Sequence, residues 1–167
     1  STDLLVPVPL HSKRLRQRGY NQAEILARET GARLSIEVRT DVLSRTRHES
    51  PQAGARSVRE RLAHVTGAFQ ARGQVEGRSV LLIDDVFDSG RTIWEVISYL
   101  RHETRRNAPE VRVATVYFQS GRPKFAVCPD YYLHEVEDLP LLPDRLSKLS
   151  ENETRLLDPE LYKLLYG

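Results

Sequence analysis

The chain has 167 residues, of which 40% are hydrophobic and 29% charged, the composition of an ordinary globular protein that is long enough to form a core. Its formal net charge is only +2, so bulk charge does not predict nucleic-acid binding. A single cysteine, Cys128, excludes an internal disulfide and favours a reducing compartment. There is no apolar run of the ~20 residues that a membrane span needs, and no signal-peptide pattern at the N-terminus. We therefore expect one cytoplasmic domain without a membrane partner.

The basic residues are unevenly distributed. They cluster between Lys13 and Arg18, between Arg45 and His48, and between Arg56 and Arg61. Clusters of this kind are typical either of solvated faces or of anion-binding sites, and the sequence leaves both interpretations open.

The first third of the chain predicts a short strand, a helix and a second strand. Leu4 to Val8 is apolar and predicts the first strand, and His11 to Gly19 is a basic loop. A helix is predicted from Asn21 to Leu34, with Asn21 as its N-cap and Glu24 completing a capping box. Ile36 to Leu43 alternates like a strand, and Ser44 to Ser57 is long, polar and basic, as mobile lid loops often are.

The remaining chain alternates predicted strands and helices, which indicates a parallel sheet with right-handed crossovers. The predicted elements are a short helix from Val58 to Val65, strands from Gly67 to Ala71, Val80 to Ile83, Val111 to Phe118 and Tyr131 to Val136, and an amphipathic helix from Thr92 to Glu103. Residues 139–167 predict a helical tail with a leucine stripe.

The segment from Val80 to Thr92 carries the strongest functional signal. It reads Val-Leu-Leu-Ile-Asp-Asp-Val-Phe-Asp-Ser-Gly-Arg-Thr: an apolar run, two adjacent acids, a third acid, then a small, hydroxyl-rich turn before a helix. A buried strand would deliver Asp84 and Asp85 to its carboxyl end, and the loop amides could cradle a phosphate. Acids this close need compensation from Mg²⁺ or from sugar hydroxyls. The pattern favours a phosphorylated sugar; its alternative is a solvated acidic turn.

This segment resembles the signature of type I phosphoribosyltransferases. The segments from Val6 to Ala23 and from Gln52 to Phe69 resemble the ComF-like branch of that family, so the resemblance covers roughly Asp3 to Tyr117. It implies the type I phosphoribosyltransferase fold, an α/β fold with a mostly parallel central sheet flanked by helices, a flexible lid loop, and a small hood or helical C-terminal tail. We accordingly expect a core over residues 1–138 and a tail over residues 139–167 that packs on the core or on a partner.

The resemblance implies an enzyme that transfers 5-phosphoribosyl from Mg²⁺-bound 5-phosphoribosyl pyrophosphate (PRPP) to a nucleobase and releases pyrophosphate. Asp84 and Asp85 would hold the ribose hydroxyls directly or through Mg²⁺. The implied 5-phosphate loop comprises Asp88, Ser89, Gly90, Arg91 and Thr92. The implied pyrophosphate loop comprises Leu10, His11, Ser12, Lys13 and Arg14. The lid would bring Arg45, Arg47 and Arg59 to the pyrophosphate as it closes.

The choice of base depends on a few positions. Asp88 stands where purine salvage enzymes carry their proposed acid–base residue and where ComF-like proteins commonly carry threonine. Tyr132 belongs to a Tyr-Tyr strand followed by acids, which also resembles the purine enzymes. Gln119, however, stands where those enzymes usually place a lysine that reads the 6-oxo group, and Leu139 stands where they place a stacking aromatic. We predict a purine-like acceptor, with Asp88 catalytic and Gln119 and Tyr132 at the base.

A second function class stays open on the sequence. A ComF-like protein that binds PRPP or a nucleotide, and acts in DNA uptake or regulation, would also explain the basic loops and the missing lysine. Nucleic acid is expected as a partner only under this alternative. A homodimer formed through the leucine stripe and a monomer with a packed tail fit the sequence equally.

Overall fold

A wholly parallel five-stranded sheet forms the centre of the protein. The computed structural model describes residues 1–46, 69–71, 75–121 and 125–138. The strands of this sheet are β1 (Leu4–Pro7), β2 (Glu37–Val38), β5 (Ser79–Phe87), β6 (Glu110–Gln119) and β7 (Tyr131–Val136), in the order β2-β1-β5-β6-β7. Two further strands, β3 (Leu43–Arg45) and β4 (Phe69–Ala71), pair antiparallel in a small second sheet. The prediction of a parallel α/β sheet is confirmed.

The described residues form three α-helices: α1 (Ser12–Arg18), α2 (Gln22–Leu34) and α3 (Arg91–Thr104), the last followed by a 3-10 turn at Arg105–Asn107. The two faces of the sheet are covered differently. Val80 and Leu82 of β5 share a buried cluster with Ile93 and Leu100 of α3. Ile83 belongs to a second cluster with α2. This alternation along β5 is what a strand buried on both faces requires.

The strand order reverses between β1 and β5. From β1 the chain moves outward to β2, and from β5 it moves in the opposite direction to β6 and β7. The two strands are in register from Leu4 opposite Val80 to Pro7 opposite Ile83, and the Val8 amide donates to the Ile83 carbonyl at 2.9 Å. Open α/β sheets bind ligands beyond the carboxyl ends of the strands at such a reversal, so this edge is where a site is expected.

The predicted basic loop from His11 to Gly19 is wrong for most of its length, because Ser12–Arg18 is helical. His11 caps this helix, accepting at Nδ1 from the Lys13 amide at 3.2 Å. Gly19 ends it with a left-handed φ of 80°, and its amide donates to the Leu15 carbonyl. The helix has no buried residue, so its sequence lacks the apolar periodicity that would predict a helix.

Two strand predictions also need correction. The segment from Ile36 to Leu43 is not one strand, since Glu37–Val38 joins the central sheet and Leu43–Arg45 joins the small one. The central strand continues past Ile83 to Phe87, because Asp84 pairs with Thr115 and Phe87 pairs with Phe118. Both acids therefore lie within the strand, and its carboxyl end is at Phe87.

The other described elements agree with the prediction to within about a residue or two. The N-cap prediction for Asn21 is confirmed by its Oδ1, which accepts from the Ala23 amide at 3.2 Å. Glu24 pairs with Arg28 at 2.7 Å. The predicted lid beyond Thr46, the helix from Val58 to Val65 and the tail over 139–167 lie outside the described residues. No helix within the described ranges is long and apolar enough to cross a membrane.

Candidate functional site

The β5–α3 connection forms a backbone cradle at the carboxyl edge of the sheet. Asp88 and Ser89 follow β5, and Gly90 precedes α3 with a left-handed φ of 77°. Gly90 provides no side-chain cap, so the first-turn amides of α3 have no capping side chain. Amides in this position, at the positive end of a 14-residue helix, form a ready anion site.

Gly90 is required here by space as well as by conformation. A Cβ atom at this position would lie 2.9 Å from Cζ of Phe87 and 3.1 Å from Cγ2 of Val127. Phe87 is almost fully buried and packs edge-on against Phe118, with ring centroids 5.7 Å apart. The loop is therefore pressed onto the core, which fixes its amides. Arg91 Nε is paired with Glu95 Oε1 at 2.8 Å, so its side chain is directed along the helix.

The two adjacent acids, Asp84 and Asp85, interact unfavourably when both are charged. Asp84 Oδ1 accepts from the Asp85 amide at 2.9 Å. Burial raises the pKa of Asp84 well above its usual value, and the charge of Asp85 and contact with its carboxyl act in the same direction. The positive charge of Arg45 acts on that pKa in the opposite direction. Asp84 is half-buried and pairs with Thr115 inside β5, so it does not belong to a solvated acidic turn.

Of the three predicted lid arginines, Arg45 lies within the described residues. It lies on β3, and its guanidinium carbon is 5.5 Å from the ring centroid of Phe69 on β4, a cation–π contact. Its positive charge acts to lower the pKa of Asp84, against the effect of burial. Arg47 and Arg59 lie outside the described residues.

The connection after β1 lies at the same edge of the sheet as the β5–α3 loop. Leu10 and His11 are non-helical, and Ser12, Lys13 and Arg14 form the first turn of α1. In the part of the chain that the structure describes, neither Lys13 nor Arg14 forms an ion pair. Asn21 Nδ2 donates to the Val8 carbonyl at 3.0 Å, which ties the start of α2 to the end of β1. The β1–α1 connection is thus anchored at Val8, and the helix turn that follows it supplies cations.

The two predicted base residues lie on β6 and β7. Gln119 is the last residue of β6, only 2% exposed, and its Nε2 donates to the Glu137 carbonyl. Tyr132 pairs with Thr115 in register, well before the end of β7 and on the far side of β6 from β5. Its ring packs 5.2 Å from that of Phe118. The structure thus brings Gln119 to the carboxyl edge and leaves Tyr132 at the level of Asp84.

The hydroxyl of Tyr132 is already engaged. It donates to Glu135 Oε2 at 3.2 Å, and the charge of Glu135 raises the pKa of Tyr132. Sequence reasoning missed the contacts of Val127 near Gly90 and of the Glu137 carbonyl with Gln119. Neither contact has a sequence signal. Val127 is distant from Gly90 along the chain, and Gln119 is bound by a backbone carbonyl, which every residue carries.

Residues 15–141 match the family model described as the phosphoribosyl transferase domain. The chain belongs to this family. Within the family, it is 32% identical over 102 residues to competence protein F of Haemophilus influenzae, an alignment that covers 59% of this chain and 44% of that protein. It is 32% identical over 111 residues to DNA utilization protein YhgH of Escherichia coli strain K12, covering 66% of this chain and 47% of that protein. The chain thus spans somewhat less than half the length of these relatives, and its ComF-like character is confirmed.

The comparison with solved structures confirms the type I phosphoribosyltransferase fold. A hypoxanthine phosphoribosyltransferase from Staphylococcus aureus superposes with a TM-score of 0.51 at 15% identity, covering 84% of this chain and 65% of that one. At this identity the likeness concerns the fold alone.

Proposed function

We propose that this protein is a phosphoribosyltransferase that binds Mg²⁺-PRPP and transfers its 5-phosphoribosyl group to a purine-like base, with release of pyrophosphate. The observation that carries the proposal is the meeting of two features at the strand-order reversal. The acid pair lies in β5, and an uncapped helix start follows the end of that strand. A connection rich in cations follows β1. Together these features match a ligand that has a phosphate at one end and a highly charged leaving group at the other.

The phosphate end is assigned to the β5–α3 loop. The amides of Gly90, Arg91 and Thr92 and the hydroxyls of Ser89 and Thr92 would hold the 5-phosphate, as helix starts hold anions elsewhere. Because Gly90 is packed onto Phe87 and Val127, the loop needs little rearrangement to do so. Binding energy gained there would place C1 of the ribose against the base, which lowers the barrier through positioning.

The ribose is assigned to Asp84 and Asp85. Their carboxylates would accept hydrogen bonds from the ribose hydroxyls. The donor chemistry also fits Mg²⁺, which is commonly bound by one or two carboxylates together with substrate phosphates. Burial is the main cause of the raised pKa of Asp84 and the charge of Asp85 adds to it, and a bound cation would relieve that second contribution. When bound, Mg²⁺ would neutralise negative charge on the departing pyrophosphate.

The pyrophosphate end is assigned to the β1–α1 connection and to the lid. Lys13 and Arg14 would face the leaving group together with the amides after Leu10. Arg45, already in range of the acids, would add positive charge, and Arg47 and Arg59 would do so on lid closure. Closure would also shield the cationic ribose transition state from water. Asp88 would act as the acid–base group for the nucleobase, within hydrogen-bond reach of the acceptor nitrogen.

A second candidate function is supported by a specific observation. The named relatives are a competence protein and a DNA utilization protein. Lys13 and Arg14 make no ion pair within the described residues, and no acidic residue occurs between Leu10 and Gly19. A PRPP- or nucleotide-binding protein in DNA uptake or regulation would use these cations on a nucleic-acid backbone.

The experiment is a screen of nucleobases with PRPP and Mg²⁺, read by pyrophosphate release, with thermal unfolding measured in parallel. The enzyme proposal predicts pyrophosphate release that depends on one class of base. If no base yields nucleotide while PRPP still raises the melting temperature, the enzyme proposal fails and the binding proposal stands. DNA binding that weakens steeply with added salt would support the second candidate.

A further inference from the structure

Gln119 has a buried side-chain amide whose NH₂ group forms a hydrogen bond and whose oxygen does not. Its side chain is 2% exposed, and Nε2 donates to the Glu137 carbonyl. Its Oε1 is buried and has no hydrogen-bond partner among the described residues. A buried acceptor without a donor is destabilising, so such a group in a native protein calls for a donor from elsewhere.

The orientation of this amide is fixed by its partner. A backbone carbonyl only accepts, so the group facing Glu137 must be the NH₂ end, and the other end must be the oxygen. Rotating the amide by half a turn would place two acceptors against each other. Nε2 keeps a second N–H, but Oε1 is the atom of this amide that is buried without any partner among the described residues, so the unsatisfied group is an acceptor.

The position of Gln119 ties it to the proposed site. Phe87 of β5 pairs with Phe118 of β6, and the next residues along the two strands are Asp88 and Gln119. Adjacent strands lie about 4.8 Å apart, so these two residues flank the same stretch of the carboxyl edge. Asp88 is the residue proposed to serve the base, which places Gln119 on the base side.

We propose that Gln119 makes the base site selective for a base that carries an exocyclic amino group over its oxo counterpart. An amino group would donate to Oε1 and satisfy the buried acceptor. An oxo group at the same position would set two acceptors together, and both would stay unpaired. This inference rests on the proposed function, since it assigns the specificity of that same site.

The test uses two nucleotides that differ at one position. Adenosine and inosine 5′-monophosphate share the ribose and the phosphate, and differ by an amino or an oxo group at purine position 6, a change that also makes N1 an acceptor in the first and an N–H donor in the second. Calorimetric titration of the wild-type protein should show adenosine monophosphate bound at least about tenfold more tightly. Equal affinities, or a preference for inosine monophosphate, would overturn the inference.

Two variants separate hydrogen-bond recognition from general packing. Gln119→Met removes the acceptor and should abolish the discrimination. Gln119→Lys replaces the acceptor by a donor and should reverse it. The same change to methionine at the exposed Gln70 on β4 is the matched control and should leave the ratio unchanged. A tenfold wild-type preference that survives in the methionine variant would refute the role of Gln119.

Failure of the inference and failure of the proposed function give different results. If PRPP and both nucleotides fail to bind, the proposed function fails, and the inference fails with it. If PRPP binds and the two nucleotides bind equally, the donor site stands and only the role of Gln119 is refuted. The wild-type comparison needs no variant, so the test survives even if a substitution at this buried position prevents folding.

Discussion

Gly90→Ala is the sharpest test of the phosphate loop. Alanine at a φ of 77° is disfavoured by about 1–2 kcal/mol. Its Cβ would also lie 2.9 Å from the Phe87 ring and 3.1 Å from Val127, and overpacking of this kind costs about 1–3 kcal/mol. Because Phe87 is buried, the ring has little room to withdraw. We expect the free energy of unfolding to fall by about 2–5 kcal/mol, and PRPP binding to weaken because the α3 amides must shift.

Two other glycines separate the causes of this effect. Gly19 has a φ of 80° but nothing within 4 Å of a Cβ, so Gly19→Ala should cost only the conformational part, about 1–2 kcal/mol. Gly121 has neither a positive φ nor a near neighbour among the described residues, and Gly121→Ala should change stability by less than about 0.5 kcal/mol. Urea denaturation of the three variants measures these values. Equal losses for Gly90→Ala and Gly19→Ala would refute the crowding at the loop.

Three further predictions concern the acids and the helix cap. Because the folded-state pKa of Asp84 is raised, its carboxylate destabilises the fold at neutral pH and ceases to do so below about pH 4, where the unfolded-state carboxyl is protonated as well. Asp84→Asn should therefore raise the free energy of unfolding at pH 7 and not at pH 4; an equal gain at both values contradicts the cause. Asp88→Asn should lower turnover much more than PRPP affinity, and an equal loss of both would indicate a structural role. Asn21→Ala should cost about 1–2 kcal/mol in urea denaturation, since it removes the cap and the contact with Val8; a loss below about 0.5 kcal/mol would show the contact to be unimportant.

The fold was predictable where apolar periodicity is strong. Ile93, Val96 and Leu100 recur at helical spacing and are all buried, so α3 was placed to within a residue. Helix α1 could not be found in this way, because none of its residues is buried and packing left no pattern in its sequence. Its only local signals were the terminal glycine and a run without β-branched residues. Those signals for a helix are weaker than the signal for a solvated loop that the four basic side chains give.

The end of β5 was misplaced for a different reason. Two adjacent acids normally mark the end of a buried strand, because a charge in a sheet interior is costly. Here Asp84 pairs with Thr115 within the sheet, and the strand continues through the apolar residues Val86 and Phe87. The cost of that burial is visible in the raised pKa of Asp84. A sequence does not show that such a cost is tolerated, since the groups that offset it, such as Arg45, come from elsewhere in the chain.

The two halves of the proposed site differ in whether their residues come from one continuous segment or from several separate ones. The donor half lies largely within one segment, from Asp84 to Thr92, so a sequence pattern can describe it. The acceptor half depends on contacts between β6 and β7 and the chain beyond β7, in which the Glu137 backbone orients Gln119 and Glu135 occupies the hydroxyl of Tyr132. The same residue types with other partners would present different hydrogen-bonding groups. An amide bound through its NH₂ reads a donor, whereas one bound through its oxygen would read an acceptor. In the proposed site, base selectivity would therefore depend on contacts between segments, and the identity of residue 119 alone would not determine it.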